Sequence, residues 1–301
     1  MLSGSRTQVL IVGAGPTGLT LAIELARRDI DFRIVDRLPQ RAEISKALVI
    51  QPRTLELLSM QGIVGRFLAR GYPAPGLNIG LGAVRPVSID LRHLDTDYPF
   101  LLVLPQGETE QLLEKHLIAR GHSIERSVTF ESLDTTGGPR VRVTLRHSSE
   151  DVEQLEADYV VACDGTHSAV REAAEMPFEG SSFDEVVFLA DVKLDTDFVR
   201  SRITNFTADR GFVSVLPFMG EYSRIFAVDH TKQGPGPHDP LELADLEETV
   251  NAIVPFHMRL TDPRWITRFK SPSKMVAKMR KGRVLFAGDA AHSTVPPAVK
   301  E

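Results

Sequence analysis

Three glycines and one aspartate near the start of the chain have the types and spacing of a phosphate-binding site. Gly13, Gly15 and Gly18 form the pattern G-x-G-x-x-G, and Asp36 follows eighteen residues after the last of them. The first glycine permits a tight turn, the second lets a pyrophosphate approach the backbone, and the third lets a helix and a strand pack closely. A carboxylate at Asp36 can accept hydrogen bonds from both ribose hydroxyls of an adenosine. The pattern predicts dinucleotide binding.

The surrounding sequence predicts the βαβ unit that such a site needs. Residues 9–12 (VLIV) form a short apolar run typical of a parallel strand buried on both faces. Residues 18–28 predict a helix, whose first N–H groups would favour a negative charge. Residues 31–35 predict a second strand, which ends at the acid. The loop alone does not distinguish NAD from FAD.

Three side chains beside these glycines and the acid complete the predicted nucleotide contacts. Pro16 and Thr17 lie between the second and third glycines, where the phosphates are expected. Arg37 directly follows the acid. An arginine there can pair with a 2′-phosphate, although we favour the alternative that it is a solvated side chain.

Four later segments, in their order along the chain, resemble the single-component FAD-dependent aromatic hydroxylases, the class A flavoprotein monooxygenases of the p-hydroxybenzoate hydroxylase type. The resemblance spans nearly the whole chain. The segments are SKA with PRTLE (45–47 and 52–56), LPQGETEQLL (104–113), YVVACDGTHSAVR (159–171) and GRVLFAGDAAH (282–292). The last two are similar to the Asp-Gly and Gly-Asp motifs of that family. The resemblance implies an FAD cofactor.

The resemblance also assigns further cofactor-binding residues. It implies that Gly288 and Asp289 meet the ribityl hydroxyls of the flavin, and the apolar strand before them places the carboxylate where open α/β sheets bind ligands. It implies that Gln106 contacts the flavin and that Asp164 serves both FAD and NADPH. For the two aspartates a turn or helix-cap role is the alternative, and for Gln106 a surface position.

Two further cations match the segment that follows the βαβ unit in the family. Lys46 stands where the family often has an arginine, and Arg53 lies in the PRTLE segment. The resemblance therefore predicts that both bind the cofactor.

The predicted fold class is α/β, with a Rossmann-like FAD-binding domain, a three-strand meander and an antiparallel-sheet α+β substrate domain. Residues 127–133, 140–147 and 153–165 predict the meander, because the second of these runs alternates polar and apolar residues. The predicted FAD-binding domain comprises residues 1–70, 101–176 and 272–301. The predicted substrate domain comprises residues 71–100 and 177–271.

Five apolar residues in the second domain are candidates for the wall of a substrate pocket. They lie on strand-like runs within residues 186–229, and the alternative for each is an ordinary core position. The candidates are Phe188, Phe212, Pro217, Phe218 and Phe226. No catalytic side chain is identified, and the sequence has neither metal-ligand spacing of Cys and His nor a Gly-x-Ser-x-Gly elbow.

The activity implied by the resemblance is hydroxylation of a phenolic or polyketide-like molecule by molecular oxygen. NADPH would reduce FAD transiently, and a flavin hydroperoxide would attack the ring. The alternatives are a related reductase, epoxidase or halogenase, although Trp265 is the only tryptophan and a Trp-x-Trp signature is absent. In the family, a glycine-rich turn and a long helix follow the prolines after the Gly-Asp motif. Since this sequence ends at Glu301 without them, a truncated or catalytically impaired FAD-binding remnant is a further alternative.

The composition restricts the remaining possibilities. The 301 residues carry a net charge of −5, which gives no support to a nucleic-acid or membrane partner. No apolar run approaches the ~20 residues that a bilayer-spanning helix needs. The single cysteine, Cys163, excludes an intrachain disulfide and suits a reducing compartment. The sequence therefore predicts a cytoplasmic protein.

Overall fold

The computed structural model of the protein describes residues 2–41, 47–81, 87–182, 186–195, 200–231, 241–269 and 272–293. Lys46 and the last residues, 294–301, on which two of the sequence predictions depend, lie outside these ranges. Within the described ranges the strands are β1 (Leu2–Val12), β2 (Phe32–Asp36), β3 (Val49–Ile50), β4 (Tyr72–Ala74), β5 (Gly76–Leu81), β6 (Val87–Asp90), β7 (Leu101–Val103), β8 (Glu125–Arg126), β9 (Val128–Asp134), β10 (Val141–His147), β11 (Val152–Ala162), β12 (Phe178–Ser182), β13 (Val187–Asp195), β14 (Ile203–Ala208), β15 (Gly211–Pro217), β16 (Tyr222–Asp229), β17 (Arg259–Phe269), β18 (Pro272–Val276), β19 (Arg280–Lys281), β20 (Val284–Phe286) and β21 (His292–Ser293). The α-helices are α1 (Pro16–Ala26), α2 (Pro52–Met60), α3 (Val64–Leu68), α4 (Gln106–Ala119), α5 (Ala169–Ala173) and α6 (Leu243–Asn251), and Leu91–His93 and Gly288–Ala290 form short 3₁₀ turns.

An eight-stranded sheet carries the predicted βαβ unit. Its order is β19-β20-β11-β1-β2-β8, with β10 and β9 continuing from β11. The pairs β20·β11, β11·β1, β1·β2 and β2·β8 are parallel. Leu10 and Ile11 at the centre of this sheet have no solvent exposure, as expected for a parallel strand covered on both faces.

The predicted meander is confirmed. Strands β9, β10 and β11 pair antiparallel in succession. Along β10 the buried residues alternate with more exposed ones, because one face of the meander packs into the core that includes Val143 and Leu145. The apolar end of β11 continues into the parallel sheet.

Two helices begin earlier than the sequence pattern predicts. Helix α1 begins at Pro16 rather than Gly18, since proline at the first helical position needs no N–H partner and has a helical φ. The sequence of residues 111–121, which ends at a glycine, predicts a helix, and helix α4 begins at Gln106, five residues before that range. The first turn of α4 is polar and has no apolar pattern that would indicate a helix. The pattern begins only with the buried residues Leu112, Leu113 and Leu117.

A second, seven-stranded sheet has the order β17-β13-β16-β15-β14-β5-β6. Its pairs are antiparallel except β14·β5. Helix α6 covers one face through a core that includes Phe188, Val213, Ile225 and Leu246. This confirms the predicted antiparallel sheet with a helix, and with it the α/β fold class.

The chain divides into two compact units. The first comprises 1–45, 106–181 and 272–294, and it contains the eight-stranded sheet and the small sheet β12-β18-β21. The second comprises 46–105, 182–271 and 295–301, with the seven-stranded sheet and the small sheet β3-β7-β4. The described residues 47–70 and 101–105 thus belong to the second unit, whereas the sequence grouped them with the FAD-binding segments. Over the described part of the chain, no helix combines the length and apolar character needed to cross a bilayer.

Candidate dinucleotide-binding site

The carboxyl ends of four parallel strands meet at one edge of the first sheet. Val12 of β1 is in register with Ala162 of β11 and Val35 of β2, and Ala162 is in register with Phe286 of β20. The ladder continues beyond the strands, since the Cys163 N–H donates to the Val12 carbonyl at 2.7 Å. The four segments that follow these strands therefore start side by side. They are the residues from Gly13, Asp36, Cys163 and Ala287 onward.

The three glycines of the loop have three different steric environments. Gly13 has φ +105°, and a Cβ there would lie 2.2 Å from the carbonyl oxygen of Cys163. A Cβ on Gly18 would lie 1.9 Å from the carbonyl oxygen of Gly13. A Cβ on Gly15 would meet nothing within 4 Å. The first and third glycines are thus required by the fold, whereas Gly15 faces open space, as a glycine that admits a pyrophosphate should.

The start of helix α1 faces the same region. Gly15 precedes the helix in an extended conformation and Pro16 is its first residue. Because the first N–H groups of a helix lack intrahelical acceptors, they favour an anion near the N-terminus. Thr17 lies against the Gly-Asp segment: a Cβ on Gly288, whose φ is +58°, would be 2.5 Å from Thr17 Oγ1. The first and last predicted motifs therefore touch.

Asp36 is fixed at the end of β2 by the backbone on both sides. Its Oδ2 accepts from the Ala14 N–H at 2.7 Å, and its Oδ1 accepts from the Leu38 N–H at 2.8 Å. The Arg126 guanidinium lies 3.8 Å from Oδ2 and donates to Glu114 at 3.2 Å. The carboxylate is thereby held beside the glycine loop, with further lone-pair positions for ribose hydroxyls.

A cavity of about 280 Å³ lies between the loop and the strand ends. The predicted residues Gly13, Gly15, Asp36, Arg37 and Asp164 line it. The exposed Arg37 agrees with the predicted solvated side chain. The wall also contains four residues to which the sequence analysis assigned no cofactor contact, three on the meander strand β9 and one in the segment that resembles the Asp-Gly motif. These are Val128, Thr129, Phe130 and His167.

Asp164 makes the contacts of the cap alternative. Ser168 Oγ donates to its Oδ1 at 2.6 Å, and the Val170 N–H donates to its Oδ2 at 3.2 Å at the start of α5. Asp164 also lines the cavity, and its role in cofactor binding stays a prediction. The neighbouring thiol of Cys163 is inert, because burial raises its pKa to about 12.

Arg171 is a positioning residue that the sequence patterns missed. The side chain is buried, donates to the carbonyls of Thr166 at 2.7 Å and Ala290 at 3.1 Å, and stacks on Phe178 at 3.9 Å. It thereby joins the Asp-Gly segment to the Gly-Asp segment. Arg171 is the last residue of the segment that resembles the Asp-Gly motif, but the sequence does not indicate that its side chain makes this bridge.

Asp289 lies on the exposed side of the Gly-Asp turn. Its Oδ2 is 3.5 Å from Thr166 Oγ1, and the turn itself packs against Thr17. The carboxylate is thus on the same edge of the sheet as the glycine loop and retains hydrogen-bonding capacity. This placement suits the predicted contact with ribityl hydroxyls.

Gln106 stands at the first turn of α4. Its Nε2 donates to Glu110 at 2.8 Å, and burial raises the pKa of the Glu110 carboxyl. Arg41 donates to the carbonyl of Gly107 at 3.1 Å and pairs with Glu114. The amide of Gln106 is therefore oriented by its own helix, and a flavin contact stays a prediction.

Of the two remaining predicted cations, one belongs to the second unit and the other falls outside the described residues. Arg53 is exposed on α2 in the second unit and pairs with Glu56 at 2.6 Å. Lys46 falls outside the described residues, so its predicted role stays a prediction.

The predicted substrate residues occupy both faces of the seven-stranded sheet. Phe188 is 4% exposed and packs in the core beneath α6. Phe212 and Phe226 lie on the opposite face with ring centroids 6.0 Å apart, and Phe218 is buried in a cluster that Phe226 joins. Pro217 is buried at the end of β15. The structure therefore brings Phe212, Phe218 and Phe226 to one face and separates Phe188 from them.

The comparisons with known proteins agree with this site. The family model described as "FAD binding domain" matches residues 6–299. The chain is 32% identical over 291 residues to an uncharacterized aromatic compound monooxygenase, YhjG, of Bacillus subtilis, covering 97% of this chain and 57% of that protein. It is 34% identical over 291 residues to 6-methylpretetramide 4-monooxygenase of Streptomyces rimosus, covering 96% of this chain and 52% of that protein.

A solved structure shows the same fold. The p-nitrophenol 4-monooxygenase PnpA of Pseudomonas putida superposes with a TM-score of 0.82 at 23% identity, covering 97% of this chain and 75% of that one. The chain spans about half the length of the two curated relatives. The glycine loop, the acid after β2 and the Gly-Asp turn fit an FAD molecule, because their open approach and hydrogen-bonding groups face one edge of the sheet. With the family match over residues 6–299, the chain belongs to the FAD binding domain family.

Proposed function

We propose that this chain is the FAD-binding and substrate-binding part of an FAD- and NADPH-dependent monooxygenase that hydroxylates a phenolic or polyketide-like aromatic molecule. The observation that carries the proposal is the meeting of the Gly13–Gly18 loop with the Gly288–Asp289 turn at Thr17, in a chain whose relatives are named monooxygenases. The aromatic substrate class follows the printed names of those relatives.

In the proposed function each described residue has a binding task. Gly15 and the first N–H groups of α1 hold the pyrophosphate, and Asp36 accepts the ribose hydroxyls. Asp289 accepts hydrogen bonds from the ribityl chain, and Arg171 fixes the loop opposite it. FAD, when bound and reduced by NADPH, supplies the activation of molecular oxygen. The protein then needs no nucleophilic side chain, which agrees with the absence of a triad motif from the sequence.

The same proposal assigns a binding role to each predicted domain and a cellular location to the protein. Residues 1–70, 101–176 and 272–301 would bind FAD, and residues 71–100 and 177–271 would bind the substrate. A cytoplasmic location suits the single cysteine and the need for NADPH.

The experiment is an absorption spectrum of the purified chain after reconstitution with FAD, followed by NADPH addition with and without a panel of phenols. We expect a bound flavin spectrum, NADPH consumption that a phenol stimulates, and a product that gains one oxygen atom from ¹⁸O₂. NADH in place of NADPH, and the Gly15→Ala variant, serve as controls. FAD binding without any ligand-stimulated NADPH consumption would favour the impaired remnant, and a product without the labelled oxygen would favour a reductase or halogenase. A chain that does not bind FAD would overturn the proposal.

A further inference from the structure

One face of the seven-stranded sheet carries a row of directly opposed residues that no motif predicts. Asn205 of β14 is opposite Ser214 of β15, which is opposite Phe226 of β16, and Phe226 is opposite Leu189 of β13. Side chains of directly opposed residues lie on the same face. Their sequence neighbours Phe206, Val213 and Ile225 belong to the core under α6, so this row lies on the face opposite α6.

Asn205 and Ser214 form a polar pair with unused hydrogen-bonding capacity. Ser214 Oγ donates to Asn205 Oδ1 at 2.7 Å, and Ser214 is 7% exposed. Among the described residues, none accepts from the Asn205 amide nitrogen and none donates to Ser214 Oγ. The pair therefore offers the two N–H donors of the amide and an acceptor at Ser214 Oγ. If the amide is turned over, the Asn205 nitrogen donates to Ser214, and the pair again offers at least one donor, including the Ser214 hydroxyl, and an acceptor at Asn205 Oδ1.

The surroundings of the pair are apolar and aromatic. Phe226 lies on the next strand, about 5 Å away across the sheet, and its ring meets that of Phe212 edge to face. Leu189 extends the apolar surface by one more strand and is 3% exposed. A flat aromatic ring can pack on this surface with a polar substituent at the Asn205 end.

Two buried charged side chains on this face, Arg224 and Asp191, are already paired with each other. In the adjacent row, Arg224 Nε donates to Asp191 Oδ1 at 2.8 Å, and Trp265 Nε1 donates to Asp191 Oδ2 at 2.8 Å. The Asp191 carboxylate therefore accepts hydrogen bonds from both the arginine and the tryptophan. Asn205 and Ser214 differ from this ion pair, because among the described residues their only side-chain hydrogen bond is to each other.

We propose that Asn205 and Ser214 are the specificity-determining pair that recognises a neutral hydroxyl group on the aromatic substrate. A phenolic hydroxyl donates one hydrogen bond and accepts another, which matches the pair in both of its arrangements. A phenolate or a methyl ether only accepts, so each leaves the acceptor of the pair without a donor. The inference rests on the proposed function and names the substrate group that this face selects.

The test measures dissociation constants by equilibrium dialysis for three probes: 1-naphthol, 1-methoxynaphthalene and naphthalene. We expect the wild-type chain, with and without added FAD, to bind 1-naphthol about tenfold more tightly than 1-methoxynaphthalene. Asn205→Leu and Ser214→Ala should each reduce that preference to about twofold, because they weaken the binding of 1-naphthol and leave the binding of the other two probes unchanged. Binding should also weaken as the pH rises through the titration of 1-naphthol in the wild type and not in these variants.

Thr204→Val is the matched control. Thr204 is the strand neighbour of Asn205, points to the opposite face and is 2% exposed, so the control reports any general damage to β14 while the preference should persist. An unchanged preference in Asn205→Leu and Ser214→Ala, or a wild-type chain that does not prefer 1-naphthol, would overturn the inference. NADPH consumption measured alongside tests the proposed function separately, because the ratio of dissociation constants does not depend on turnover.

Discussion

The Gly15→Ala variant separates the folding role of the glycine loop from its binding role. Gly15 has φ −75° and ψ −175°, which alanine adopts without strain, and an added Cβ meets no atom within 4 Å. The methyl group would instead occupy the space through which a pyrophosphate approaches the backbone. We expect a folded protein that has lost most of its affinity for FAD.

The expected change in stability is small because two effects oppose each other. Replacing glycine by alanine at a compatible conformation stabilises a protein by about 0.4–1 kcal/mol through the unfolded chain. Alanine is a poorer residue than glycine before a helix, by roughly 0.5–1.5 kcal/mol. The net free energy of unfolding should change by no more than about 1 kcal/mol, which corresponds to about 3 °C in Tm.

Gly18→Ala is the contrasting variant. Its Cβ would lie 1.9 Å from the carbonyl oxygen of Gly13, so helix and loop must move apart. Overpacking of this kind costs about 3 kcal/mol, which corresponds to a decrease in Tm of roughly 6–12 °C.

For Gly15→Ala, the loss of one charged hydrogen bond to the pyrophosphate should raise the Kd for FAD about 10- to 100-fold.

The assay combines thermal unfolding of both apo variants with a titration that follows the quenching of FAD fluorescence. The reasoning predicts that Gly15→Ala loses FAD binding at an almost unchanged Tm, and that Gly18→Ala loses stability first. Binding of FAD to Gly15→Ala within threefold of the wild type would refute the placement of the pyrophosphate at this loop. A Tm as low as that of Gly18→Ala would refute the steric argument.

Three further perturbations test other parts of the first unit. Asp36→Asn should weaken FAD binding about tenfold, because an amide accepts fewer hydrogen bonds from ribose hydroxyls; an unchanged Kd in the same titration would contradict this. Arg171→Met should lower the free energy of unfolding by about 3 kcal/mol, measured by urea denaturation, because two buried carbonyls lose their donor. Glu153→Gln should destabilise the protein at pH 7, because Arg33 above all, and then Ser5 and His147, lower the pKa of the Glu153 carboxyl to about 2. A depressed pKa means that the ionised carboxyl stabilises the fold at pH values above the ordinary pKa of a glutamate, and that this stability is lost as the pH falls towards about 2. The difference in free energy of unfolding between variant and wild type should therefore shrink as the pH falls over that range. A difference that stays constant would contradict the assignment.

The sequence by itself determined the nucleotide-binding frame. The order of apolar strand, glycine loop, helix and acid is local, so the spacing of Gly13, Gly18 and Asp36 is enough to predict it. The sequence also predicted the meander, because the alternation of polar and apolar residues along β10 reflects one buried face. The class of cofactor came from the resemblance of the Asp-Gly and Gly-Asp segments to the motifs of the FAD-dependent aromatic hydroxylases.

Only the tertiary structure decided which distant groups meet. The contact of Gly288 with Thr17 and the bridge from Arg171 to Ala290 join segments more than a hundred residues apart, through a register that no local pattern encodes. The same holds for Phe188, which sheet pairing places under α6, and for Asn205, which cross-strand pairing places beside Ser214. A strand's sequence shows which residues share a face, but the partner strands and the packing layers decide what that face meets.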